Sequence, residues 1–168
     1  MQDGKALQAG TSHYLGQNFA KAANIKYQSR EGREEFVHTT SWGVSTRMLG
    51  AVIMAHADDN GLRLPPKLAP QQVVIVPILR EDVDNAPTLA YAEKLAAALR
   101  KQTLDGLPVR AKVDVRDMSS AEKRWSWIKK GVPLVCEVGP KDLEKQSVAI
   151  NWRDQLDAGK QFKGFDEV

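Results

Sequence analysis

The sequence has almost none of the residues that build covalent or metal cross-links. Cys136 is the only cysteine. It has no partner for an internal disulfide and no companions for a cysteine-based zinc site. The three histidines, His13, His38 and His56, lack the spacing of metal ligands, so no metal site is expected. A reducing, cytoplasmic setting fits this cysteine usage. Long apolar runs are also missing. The longest, Met48 to Ala55, is far too short to span a bilayer, so no membrane partner is expected. The opening residues MQDGKALQAG carry no apolar core of a secretory signal. No strand is followed by a glycine-rich phosphate loop of the dinucleotide or P-loop kind. Charge of one sign is not concentrated either. The net charge is +3 with a pI near 9.0, and residues 1–70 hold 8 bases and 6 acids. Any nucleic acid would therefore meet a shaped surface, not a polybasic arm.

What is present divides near residue 66. The segment Leu64-Pro65-Pro66-Lys67-Leu68-Ala69-Pro70 reads as a proline-stiffened connector between residues 1–66 and 67–168. The first part reads as strands around two helices. A strand and turn are expected over Ala6–Leu15, a helix over Gly16–Asn24, and strands over Ile25–Gln28 and Phe36–Val44. A helix from Ser45 to about His56 is apolar on nearly every side, so it is expected to be buried. The second part reads as an α/β sheet. Val73–Ile78 is a continuous apolar strand of parallel-sheet type. A helix follows Asp84 or Asn85, with Pro87 near its first position. Val109–Val115 alternates as a half-buried strand. Ser119-Ser120-Ala121-Glu122 is a capping box that starts a helix running to Gly131. Leu134–Val138 and Ser147–Asn151 are further strands. Gly139–Lys145 reads as a turn, and Asp154 onward as a last helix or frayed tail. The order is β-α-β-α-β-β.

Two segments carry chemistry. In Trp42-Gly43-Val44-Ser45-Thr46-Arg47 a glycine and hydroxyl residues lead into an arginine that opens the apolar helix. Helix N–H groups and a forked guanidinium together suit a phosphate or carboxylate. The plainer reading is a strand-to-helix turn with a solvated arginine, but the apolar helix puts Arg47 beside a region where an unpaired charge is costly. In Gln8-Ala9-Gly10-Thr11-Ser12-His13 a glycine precedes two hydroxyls and a histidine, a set of hydrogen-bonding groups around a close backbone approach. Its plainer reading is a turn into a strand.

Together these segments resemble the prolyl-tRNA synthetases of the archaeal/eukaryotic-like type, which are class II enzymes. LQAGTSHYLGQNFAKA is similar to the family's proline-and-ATP segment. TSWGVSTRMLGAVIMAHADDNGLRLPP resembles its third signature motif. QQVVIVPI and KGVPLVCEVGPKDLEK resemble its anticodon-binding domain. The resemblance implies an α+β remnant of the catalytic domain with antiparallel strands over 1–66, then an anticodon-binding domain with a mixed sheet over 67–168. It implies ATP-dependent attachment of proline to its tRNA, with Mg2+ accompanying ATP and a homodimer at full length. Arg47 would clamp the ATP γ-phosphate. Gln8, Thr11 and Ser45 would lie along the nucleotide. His13, Trp42 and Gly43 would shape the proline pocket, and Arg47, His13 and Thr11 would serve the reaction. Glu137, Lys141, Asp142 and Arg116 would meet the anticodon, with Lys123 and Arg124 near phosphates. Position 124 is arginine where the family often has an aromatic.

The family's first two signature motifs and its compact end domain have no counterpart in the sequence. The resemblance therefore implies half an active site, unable to form prolyl-adenylate alone. The alternative is a stand-alone tRNA anticodon-binding module without catalysis. It makes no use of Gln8, Thr11, His13 and Arg47.

Overall fold

A computed structural model describes Met1 to Val168, and the chain divides into two compact units, Met1–Ala55 and His56–Val168. The first unit contains β1 (Thr11–Gly16), α1 (Asn18–Ala22), β2 (Lys26–Gln28), β3 (Glu34–Phe36), β4 (Thr39–Gly43) and α2 (Arg47–Ala55). β1 and β4 form an antiparallel ribbon with Thr11 opposite Gly43, Ser12 opposite Trp42 and His13 opposite Ser41. β2 and β3 form a separate hairpin closed by Gly32, whose φ of +77° suits a residue without a Cβ. The single strand expected over 36–44 is thus two strands in two ribbons.

The expectation that α2 is buried is not met. None of its residues is buried, and Leu49 is 67% exposed. Two two-stranded ribbons and a five-residue helix offer too little apolar surface to cover a helix that is greasy on all sides. Ala20 is the one buried residue of this unit.

The second unit opens with a hairpin, β5 (Ala57–Asp58) and β6 (Gly61–Leu62). It continues with β7 (Val73–Pro77), α3 (Ala86–Lys101), a second hairpin of β8 (Thr103–Leu104) and β9 (Leu107–Pro108), β10 (Ala111–Val113) and α4 (Ser120–Lys129). Then come β11 (Leu134–Val138), α5 (Pro140–Lys145), β12 (Ser147–Trp152) and β13 (Gln161–Gly164). The sheet order is β10-β7-β11-β12-β13. β7 is parallel to β10 and β11, while β11, β12 and β13 run antiparallel.

Strand alternation explains the layering. Val73 and Ile75 face a core with Leu95, Ala96 and Leu99 of α3, while Val74 and Val76 face Trp127 and Val132. A strand covered on both faces must be apolar throughout, as β7 is. The capping box at Ser119 is formed, with Glu122 N donating to Ser119 Oγ at 3.2 Å and Ser119 N to Glu122 Oε2 at 3.1 Å.

Three expectations are corrected here. Gly139–Lys145 is a helix, started by Pro140 and held by the Asp142 carboxylate, which accepts from Gly139 N at 2.9 Å. The tail beyond Asp154 holds two single 3-10 turns and β13, which fills the open edge of β12. The strand over 109–115 is only three residues long.

The hairpin 57–62 belongs by packing to this second unit, although composition alone placed the break at 66. A Cβ on Gly61 would stand 2.6 Å from the carbonyl oxygen of Lys129, and one on Gly131 2.7 Å from Leu62 Cβ. Arg153, with 2% of its side chain exposed, ties the hairpin down. Its Nη1 donates to Asp58 at 2.9 Å, its Nη2 to Asp58 and to the Gly61 carbonyl, and its Nε to the Ile128 carbonyl at 3.1 Å. These hydrogen bonds hold the Asp58 carboxyl below its ordinary range. Asp58→Ala strands a buried guanidinium with two carbonyls only. It should lower unfolding stability by about 2–4 kcal/mol, read from the urea midpoint at unchanged slope.

Candidate functional site

In the first unit the turn before β1 and the turn after β4 meet. Gly10 makes this possible: a Cβ there would come within 3.1 Å of the Gly43 carbonyl oxygen. A cleft of about 270 Å3 lies alongside, lined by Gln8, Thr11, His13, Gly43, Ser45 and Arg47 among others. Arg47 Nη1 donates to Gln8 Oε1 at 3.1 Å, and Gln8 Nε2 donates to Thr11 Oγ1 at 3.0 Å. Arg47 is exposed and forms no ion pair, so most of its donors and its whole charge remain available. The geometry suits an anion with a polar, hydrogen-bonding neighbour.

The helix start contributes less than expected. Arg47 N donates to Ser45 Oγ at 3.3 Å, and Met48 N and Leu49 N bond to the carbonyls of Ser45 and Thr46. The guanidinium, not the backbone, is therefore the open donor. Trp42 is not brought to the cleft. It lies opposite Ser12 and is 76% exposed, on the ribbon face away from Thr11, His13 and Gly43. Alternation along β4 sends Ser41 and Gly43 to one side and Trp42 to the other.

In the second unit Glu137, Lys141 and Asp142 lie at the carboxyl end of β11 and in α5, whereas Arg116 follows β10, with β7 between that strand and β11. Glu137 is buried, forms ion pairs with Arg124 at 3.6 Å and with Lys160, and accepts a hydrogen bond from Asn151 Nδ2 at 3.4 Å. Lys160 and Asn151 carried no signal in the sequence, because only the pairing of β12 with its neighbours brings them to Glu137. Asp142 is occupied as the start of α5, and Lys141 is exposed with no partner. Arg116 spends its fork on Asp114, with Nε to Oδ1 at 2.9 Å and Nη2 to Oδ2 at 2.6 Å. Trp127 Nε1 donates to the same carboxylate at 2.7 Å. Of the two tryptophans on α4, Trp127 is therefore core and Trp125 is half exposed.

Residues 72–163 match the anticodon binding domain family. The chain belongs to that family. Its anticodon-binding domain is the five-stranded unit just described, less the hairpin and connector before residue 72. Over 154 residues the chain is 57% identical to the proline–tRNA ligase of Paramagnetospirillum magneticum, covering 92% of this chain and 31% of that protein. It is 54% identical over 161 residues to the proline–tRNA ligase of Protochlamydia amoebophila, covering 96% of this chain and 32% of that protein. The chain thus spans about a third of the length of these curated relatives. The structure of Cryptosporidium parvum prolyl-tRNA synthetase complexed with L-proline and AMP superposes with a TM-score of 0.82 at 41% identity, over 98% of this chain and 34% of that one. The resemblance read from TSHYLGQNF and WGVSTR is borne out, and it extends beyond the anticodon-binding domain into the first unit.

Proposed function

We propose that the chain serves ATP-dependent attachment of proline to its tRNA, with residues 1–66 supplying one wall of the active site and residues 67–168 reading the anticodon. One observation carries the catalytic half: an arginine free of any carboxylate opens on the same cleft as Gln8, Thr11 and His13. The similar Cryptosporidium enzyme has been solved with L-proline and AMP, and with halofuginone and AMPPNP. A cleft that takes an amino acid beside a nucleotide fits these residues.

In the first step the proline carboxylate attacks the α-phosphate and pyrophosphate leaves. In the second, a ribose hydroxyl of the tRNA attacks the acyl carbon and AMP leaves. Arg47 holds the γ-phosphate and balances charge as it passes to pyrophosphate, an electrostatic task that needs fixed geometry more than bond-making. Gln8 fixes that geometry and faces the adenosine. Thr11 and Ser45 lie along the nucleotide. His13 and Gly43 border the proline ring. Mg2+ does not fit this wall. No carboxylate lines the cleft, and no cluster of three His, Cys, Asp or Glu occurs in the chain. No step is assigned to a metal held by these residues. No helix is long and apolar enough to cross a membrane. The enzyme would work as a cytoplasmic homodimer.

In the anticodon reader, Glu137 would exchange its protein cations for the amino and imino groups of a guanine. Lys141, Arg116 and Asp142 would lie around the loop. The test is a fusion of this chain to the remaining N-terminal length of the Paramagnetospirillum ligase. It should support proline-dependent ATP–pyrophosphate exchange, while the 168-residue chain alone should not. A folded fusion that binds proline tRNA yet exchanges nothing would leave only the stand-alone binding module.

A further inference from the structure

The second unit holds a cavity of about 310 Å3 at the end of the sheet away from Glu137. It lies between the connector, the turn before β11 and the end of β12. Trp152, in its lining, pairs with Leu134 at the start of β11, whereas Glu137 stands about 10 Å further along that strand. The walls are fixed by main-chain bonds. Arg153 N donates to the Pro133 carbonyl at 2.9 Å and Leu64 N to the Gly131 carbonyl at 3.3 Å. The Pro66 carbonyl accepts from Gln72 Nε2 at 3.0 Å and from Arg110 Nη2 at 3.1 Å. Pro65, Pro66 and Pro133 line the cavity, each with its φ locked by its own ring. A cavity built this way admits a ligand without the cost of ordering its walls.

Most of the lining is apolar, and its charges are of both signs. The Arg153 guanidinium is occupied by Asp58 and two carbonyls. Arg63 and Asp154 are different. Both side chains are exposed, both line the cavity, and neither forms a hydrogen bond or an ion pair, with the other or elsewhere. Arg63 is near enough to Asp58 to help lower its pKa, but that carboxylate already holds Arg153. Trp152 is 37% exposed and its indole N–H has no acceptor. A ligand with one charge would be drawn by Arg63 or Asp154 and repelled by the other. A zwitterion meets both. The planar fork of Arg63 suits a carboxylate, and an aromatic ring packs well on an indole.

We propose that this cavity binds a free α-amino acid with an aromatic side chain. Its carboxylate faces Arg63, its ammonium faces Asp154, and its ring lies against Trp152 and the prolines. A peptide end carries only one of the two charges and is the poorer match. The site does not depend on the tRNA reading of the domain.

The test titrates the full, isotope-labelled chain with L-phenylalanine and follows the indole N–H resonances by NMR. The Trp152 resonance is assigned by its loss in Trp152→Phe. It should shift saturably, with a Kd of about 1 mM for a ligand of this size. Phenylpropionate lacks the ammonium and phenethylamine lacks the carboxylate, so each should bind about fivefold more weakly. Arg63→Gln should weaken phenylalanine about fivefold and leave phenethylamine no weaker than before. Asp154→Asn should weaken phenylalanine to the same degree and leave phenylpropionate no weaker. Neither side chain has a partner in the fold, so a lost response reads as a lost contact. A Trp152 shift that stays linear with concentration overturns the inference, as do equal affinities for the three compounds. So does saturable binding that moves Trp42 or Trp125 and not Trp152, or that both variants leave unchanged.

Discussion

Arg47→Ala, placed in the fusion with a relative's N-terminal length, should cut proline-dependent ATP–pyrophosphate exchange by about 100- to 1,000-fold, the usual effect of removing one preorganised charge donor. Stability should move by less than about 0.5 kcal/mol. The contrast follows from the side chain's surroundings. Arg47 is exposed, forms no ion pair and donates to Gln8 alone, so the fold loses one exposed hydrogen bond. The nucleotide loses a full charge and a planar fork. Arg47→Lys keeps the charge without the fork and should recover only part of the rate. Anticodon stem–loop binding should be the same in all three proteins. Equal exchange in wild type and R47A would remove Arg47 from the reaction.

Asp114→Ala should be the most damaging single change to the second unit, costing about 3–4 kcal/mol in chemical unfolding. Asp114 is 1% exposed and accepts four hydrogen bonds, three from Arg116 and one from the Trp127 indole. Its removal leaves the indole N–H buried without an acceptor and frees the fork of Arg116. The same carboxylate gives stability a pH dependence. Burial opposes its ionisation, but the hydrogen bonds from Arg116 and Trp127 outweigh that and hold its pKa well below the carboxylate range. A depressed pKa means that the folded protein releases this proton more readily than the unfolded chain does. The contribution is therefore complete above the unfolded value near pH 4 and drains away as pH falls below it. Asp58 acts in the same sense over the same window. Between pH 5 and pH 3 the D114A variant should lose less stability than the parent. Parallel pH curves for the two would show that the carboxylate is not held this way.

The residues that were legible in the sequence share one property: their partners lie close along the chain. The capping box at Ser119 spans four residues and formed as read. The apolar run Val73–Ile78 announced a strand with both faces covered, because each side chain of such a strand needs an apolar neighbour. Pro140 illustrates the limit. Gly139–Lys145 looked like a turn because it is short and polar, yet Pro140 and the Asp142 cap make it a helix. Trp42 illustrates another. Its neighbours Gly43, Ser45 and Arg47 line the cleft, and only the alternation of β4 against β1 turns the indole away.

The apolar strand at Val73, the helix start at Ser119 and an arginine at the opening of an apolar helix were legible in the amino-acid order itself, since local propensity, periodicity and short motifs encode them. Which face of β4 points inward, which cations surround Glu137 and which hairpin Arg153 clamps were settled only in three dimensions. Those facts depend on strand register and on pairs as distant as Asp58 and Arg153. No window of sequence holds both partners of such a pair.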